Sequence, residues 1–213
     1  MSYSRRNKAI EYIILANALV FFIFFLAAST DKTKATTNLL WTLLALQPAT
    51  VFVKPWTIIT SMFVHANLGH IFFNMVGLLF FGTYLERLTS EKNMVKIYFI
   101  GGIFANLLYA FMSLAFSIPN PMVMAVGASG AISAVLGALI ILRPNMTIYF
   151  NLIIPMPLWV YGVVFILWST SAGIAFTAHL GGLIAGLAFG RYLKKKGLVY
   201  DPYSSMYGYR QSY

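Results

Sequence analysis

The chain contains no cysteine, and only five of its 213 residues are acidic. Without cysteine there is no disulfide framework, no thiolate metal site and no cysteine nucleophile. Charge of either sign is scarce: 9% of residues are charged and 60% are hydrophobic, against roughly 25% and 45–50% in soluble domains. Mean hydropathy is +0.77. One water-facing globule cannot hide that much apolar surface, so lipid must be the solvent for most of the chain. Two further absences count against a transporter or channel. No internal repeat is visible, and no carboxylate is expected at membrane depth.

What charge there is has one dominant sign. The net charge of +10 invites a nucleic-acid partner, but Lys and Arg sit at the edges of apolar runs rather than on one face of a domain. That is the pattern of topogenic charge, and no nucleic acid is expected. Six apolar runs approach the roughly 20 residues a spanning helix needs. They are Ile10–Ala28, Leu68–Leu85, Val95–Phe116, Ala125–Leu142, Ile148–Trp168 and Gly173–Leu193. The expected fold is all-α, a polytopic bundle of six transmembrane helices. Pro155 and Pro157 predict an irregular or kinked start to the fifth helix. The first run follows Arg5, Arg6 and Lys8 as a signal peptide would. It is longer than the usual apolar core of about 7–15 residues, so a retained anchor is expected. Leu39–Val53 is interrupted by Gln47 and Pro48 and reads as an interfacial element.

Charge also sets sidedness. With six spans and the N-terminus inside, twelve cations fall on the cytoplasmic side. Only Lys32, Lys34 and Lys54 fall outside. This obeys the positive-inside rule, which a seventh span would break. The expected organisation is a cytoplasmic N-terminus over 1–9, a membrane domain over 10–193 and a cytoplasmic tail over 194–213. The lack of a transit peptide or added domain points to a prokaryotic plasma membrane.

Polar groups at lipid depth are costly and mark function by default. Ser129 lies fourteen residues before Arg143, Asn74 thirteen before Arg87 and His179 twelve before Arg191. At about 1.5 Å per residue, all three sit roughly 18–21 Å from the cytoplasmic edge. Ser129, Ser133 and Gly137 recur every four residues as a smooth stripe. Gly182, Gly186 and Gly190 do the same, with His179 on that face. Small-residue stripes let membrane helices approach closely, and packing these two would bring Ser129 to His179. Serine is a weak nucleophile until a base takes its proton, and imidazole suits that task. None of Glu11, Asp31, Glu86, Glu91 or Asp201 is expected near His179, so the pattern favours a dyad over a triad. The Ser129 N–H, near a helix start, and the side chains of His70 and Asn74, one turn apart, are candidate oxyanion donors. His65, at the outer end of that helix, reads as structural. Gly127-Ala128-Ser129-Gly130 keeps the backbone beside the nucleophile open to close approach. No cofactor and no metal site is implied.

Three segments resemble the rhomboid family of intramembrane serine proteases, in order on the second, fourth and sixth spans. They are His70-Ile71-Phe72-Phe73-Asn74, Gly127-Ala128-Ser129-Gly130, and Ala178-His179-Leu180-Gly181-Gly182 followed by Gly186. Glu86-Arg87 and Trp56 resemble further family features. The resemblance covers about 10–193. It implies a compact bundle with a water-filled cavity opening outward. Ser129 would attack a peptide bond in or near the transmembrane segment of a single-pass substrate. His179 would act as base and then acid, and His70, Asn74 and the Ser129 N–H would hold the oxyanion. The family's fifth helix and last outer loop, here Ile148–Phe176, would admit substrate. Two positions depart from the family pattern. Thr57 follows Trp56 where Arg is common. Ser133 stands where a Tyr often packs on the histidine, leaving His179 less firmly held or held by another aromatic. The alternative function is a non-catalytic rhomboid-like binder or chaperone of membrane proteins.

Overall fold

A computed structural model describes residues 8–150, 153–171 and 176–200. The expected tail beyond Tyr200 and the first residues of the sixth run, 173–175, lie outside them. Helices dominate, as the sequence predicts. In chain order they are α1 (Lys8–Thr30), α2 (Ala35–Leu44), a short α3 (Thr57–Thr60), α4 (Leu68–Gly77), α5 (Thr83–Leu88), α6 (Glu91–Phe116), α7 (Ser129–Leu142), α8 (Leu158–Ser171) and α9 (Phe176–Lys195). A π-helical turn, Leu78–Gly82, joins α4 to α5 into one rod. Among the described residues, three helices are long and apolar enough to cross a membrane: α1 with 23 residues, the Leu68–Leu88 rod with 21 and α6 with 26. At about 1.5 Å per residue each exceeds the roughly 30 Å hydrocarbon core. α7 and α8 are shorter apolar helices.

Local chemistry sets several ends. Asn67 caps α4 by accepting from the His70 N–H at 2.8 Å. Ser90 caps α6 through Asn93, with Glu91 in the first turn, where an acid favours the helix dipole. α2 stops before Ala45, and its last carbonyls are satisfied by three side chains. Lys54 donates to the Thr42 carbonyl, the Trp56 indole to Leu43 and Thr60 to Leu44, at 2.8–2.9 Å. Thr57 is buried and donates to the Lys54 carbonyl at 2.6 Å. The first loop is thereby anchored without the arginine common in the family.

α7 is the core helix. Its residues are buried on every side, from Gly130 and Ala131 to Leu139 and Leu142, as a helix apolar all round requires. It packs on α6, on α9, on α8 and on the π-helical rod. The tightest seam is α7 against α9. A Cβ added at Gly182 would meet the Gly130 carbonyl, one at Gly186 the Ala134 carbonyl, and one at Gly190 the Ala138 carbonyl at 2.8 Å. The two small-residue stripes pack together, backbone on backbone, as their spacing predicts.

Two expected boundaries need correction. The fourth run does not begin its helix at Ala125. Ala125 instead forms an antiparallel bridge with Leu46, and α7 starts at Ser129 itself. The fifth run does not begin as a helix: its described residues from Ile148 to Phe150 and from Ile154 to Pro157 are extended. Thr147–Phe150 (β1) pairs antiparallel with Ile154–Pro157 (β2). Pro155 and Pro157, lacking N–H groups, suit a strand edge better than a helix interior. α8 then begins at Leu158, whose N–H donates to the Met146 carbonyl at 2.9 Å.

Candidate active site

The segment entering α7 has no freedom to wander. Gly127 has φ +111°, a conformation open to glycine and strained for other residues. Its N–H donates to the Ser61 carbonyl at 2.9 Å. The Ser61 hydroxyl accepts from the Asn106 amide at 3.0 Å, and that amide also donates to the Ile58 carbonyl at 2.7 Å. Tyr109, one turn further along α6, donates to the Val123 carbonyl at 3.1 Å. The Ala128 N–H lies 3.5 Å from His65 Nε2. His65 Nδ1 lies 3.3 Å from the Phe63 carbonyl, so the proton belongs on Nδ1 and Nε2 accepts. His65, expected to be structural, thus holds the peptide next to Ser129.

Ser129 is the first residue of α7, so its N–H has no carbonyl one turn back to bond. Its Oγ lies 2.7 Å from His179 Nε2. His179 is buried on the glycine face of α9, and its Nδ1 has no hydrogen-bond partner among the described residues. Among the described residues the contact is therefore a pair, with no carboxylate bonded behind the imidazole. The Ser133 hydroxyl turns back to donate to the Ser129 carbonyl at 2.7 Å and so does not serve the imidazole. An aromatic from another helix faces it instead. The Phe165 ring on α8 is 5.1 Å from the imidazole, tilted by 36°.

His70 and Asn74 face the same place from α4. A Cβ at Gly127 would come within 2.7 Å of His70 Nε2 and 3.9 Å of the Asn74 amide nitrogen. His70 Nδ1 is the acceptor side, 3.4 Å from the Ala66 N–H, which leaves the proton on Nε2. The Asn74 amide spends one N–H on the His70 carbonyl at 2.8 Å and keeps the other. Among the expected site residues, Ser129, His179, Gly130 and Gly182 meet at the α7–α9 seam, and Gly186 continues it one turn below. His70, Asn74 and Gly127 form the facing wall. Sequence reasoning missed Ser61, Asn106 and Phe165. A buried Asn in the middle of an otherwise apolar span was the available signal for Asn106. A cavity of about 330 Å³ lined by Asn93, Lys96, Tyr192 and Leu198 lies elsewhere. Tyr192 is thirteen residues, or roughly 20 Å, along α9 from His179.

A helical membrane bundle that seats a serine and a histidine in contact at the start of its central helix defines a narrow class of polytopic protein. The rhomboid-domain family model matches residues 53–196, more than half of the chain, and the chain belongs to the rhomboid family. RHOMBOID-like protein 12, mitochondrial, of Arabidopsis thaliana is 33% identical over 156 residues, covering 65% of this chain and 46% of that protein. Rhomboid-like protease 3 of Toxoplasma gondii is 27% identical over 195 residues, 89% and 71% of the two chains. Rhomboid protein 1, mitochondrial, of Saccharomyces cerevisiae is 33% identical over 150 residues, 65% and 42%. The match thus spans less than half of both mitochondrial proteins. These eukaryotic relatives do not fit the prokaryotic plasma membrane expected from the sequence, whereas the integral-membrane expectation stands.

Proposed function

We propose that the chain is an intramembrane serine endopeptidase acting on transmembrane segments of single-pass proteins. The observation that carries this is the 2.7 Å approach of His179 Nε2 to Ser129 Oγ. The imidazole takes the hydroxyl proton as Oγ attacks the scissile carbonyl, then returns it to the leaving amine. Water, activated by the same imidazole, hydrolyses the acyl-enzyme. The tetrahedral oxyanion is held by the Ser129 N–H, the free N–H of the Asn74 amide and His70 Nε2, all near the Gly127–Ser129 turn. Gly127 leaves room for substrate backbone beside His70 and Asn74, while Gly130 packs on Ala105. No cofactor or metal enters this scheme. Six spans with both termini in the cytoplasm would put the dyad nearer the outer face, a sidedness that the charge distribution supports.

The test compares wild type with Ser129→Ala and His179→Ala, using a single-pass reporter in membranes and a fluorophosphonate probe. Cleavage and labelling are expected only in the wild type. A variant cleaving at the wild-type rate would end the proposal. A wild type that binds reporter but is neither labelled nor active would favour the non-catalytic binder.

A further inference from the structure

The dyad leaves one degree of freedom undetermined. The imidazole is fixed at Nε2 by Ser129 and at Nδ1 by nothing among the described residues. The terminal torsion of a histidine is broad and roughly two-fold. Tipping the ring plane about that torsion would swing Nε2 away from Oγ. Ser133 is committed to the Ser129 carbonyl. Among the described residues, the aromatic ring packed on the imidazole is that of Phe165.

That ring is itself supported. Phe165 and Tyr161 lie one turn apart on α8 and stack at 6.4 Å and 10°. Tyr161 rests on Phe81 of the π-helical turn at 5.8 Å and on Phe150 of β1 at 6.5 Å. The order His179, Phe165, Tyr161, then Phe81 and Phe150 runs from the dyad to the base of α8. Ring pairs at these separations prefer defined tilts over free rotation.

We propose that Phe165 is a positioning residue: its ring, backed by Tyr161, holds the imidazole in the plane in which Nε2 meets Ser129. This rests on the reading of Ser129 and His179 as nucleophile and base. It makes α8 part of the catalytic apparatus, so the base is aligned only while α8 is seated.

The full chain in liposomes is assayed two ways: the rate of Ser129 labelling by a small fluorophosphonate, and kcat and KM on a single-pass reporter. Phe165→Ala and Phe165→Leu are each expected to slow labelling and lower kcat roughly five-fold, the scale of one ring pair. KM should stay within about two-fold of wild type. Phe165→Tyr, which keeps the ring, should restore both rates. Val163→Ala, on the exposed side of the same helix, should match wild type. Should Phe165→Ala fail to fold, Phe165→Leu decides, because it keeps most of the volume. Wild-type rates in Phe165→Leu, or an effect confined to KM, would overturn the proposal. A wild type that is neither labelled nor active would instead overturn the assignment of the dyad.

Discussion

Two regions of the bundle meet at His179 and are built on opposite plans. The seam between α7 and α9 is backbone against backbone, with Gly182, Gly186 and Gly190 set on the carbonyls of Gly130, Ala134 and Ala138. α8 touches the same site only through side chains: Phe165 on the imidazole, Tyr161 below it, and Trp159, Val163, Leu167 and Trp168 exposed. In lipid there is little hydrophobic drive between helices, so close packing of small residues is what locks a pair together. The first plan fixes a 2.7 Å contact. The second ties the backbone of α8 only near its base, where Leu158 and Trp159 donate to the Met146 and Pro144 carbonyls, and leaves the level of Phe165 held by rings.

Matched substitutions sharpen that contrast. The largest effect is expected at Gly186→Val. Its Cβ would strike the Ala134 carbonyl and Cα, which cannot move without moving α7. A loss of about 3 kcal/mol, the upper end of overpacking costs, should appear in denaturant unfolding in detergent, with cleavage lost. Next comes Leu158→Ala. Leu158 is fully buried at the base of α8, and a loss of about 2 kcal/mol is expected from the cavity. Equal cost at the two sites would break the comparison. Gly162→Ala should be smaller still. The added Cβ meets only the tip of Ile140, at 2.6 Å, and that side chain can turn away. The better helix propensity of Ala offsets the crowding, leaving a net change below about 1 kcal/mol. A severe defect there would mean α8 is locked as firmly as the seam.

The smallest effect is expected outside both regions, at the exposed corner between α1 and α2. The Asp31 carboxyl is lowered to about 2 by hydrogen bonds, first from the Thr33 hydroxyl and then from the Thr36 N–H. The folded pKa lies below the unfolded value. The contribution is therefore whole above about pH 4 and fades as pH falls towards 2. Amide exchange of Thr33 and Thr36 should quicken over that window, while the seam amides stay protected.

The seam was legible in the sequence because a glycine every fourth residue and two polar groups at equal depth together specify one close helix pair. Asn74 was legible by the same depth, and His70 as its neighbour one turn away. The second region was not. Over Ile148–Pro157, β-branched, aromatic and proline residues have the hydropathy of a span, and composition cannot separate a hairpin from a kinked helix. Phe165 is one of 18 phenylalanines, and nothing in its spacing marks the one that faces a histidine. His65 looked like a structural residue because its bond to the Ala128 N–H joins positions 63 residues apart.

The wide turn at Leu78–Gly82 has a consequence for how the second span can vary. It accommodates an extra residue within one rod, so the upper part can aim His70 and Asn74 at Gly127 while the lower part buries Leu85 and Glu86. Five residues at this wider winding turn the chain about as far as four in a regular helix, so deleting one of them would restore regular winding with both faces kept. Deleting one residue from the regular turns on either side, where no such slack exists, would swing one half by about 100° relative to the other. The first deletion is predicted to be better tolerated than the second, a difference that unfolding of the two variants in detergent would read.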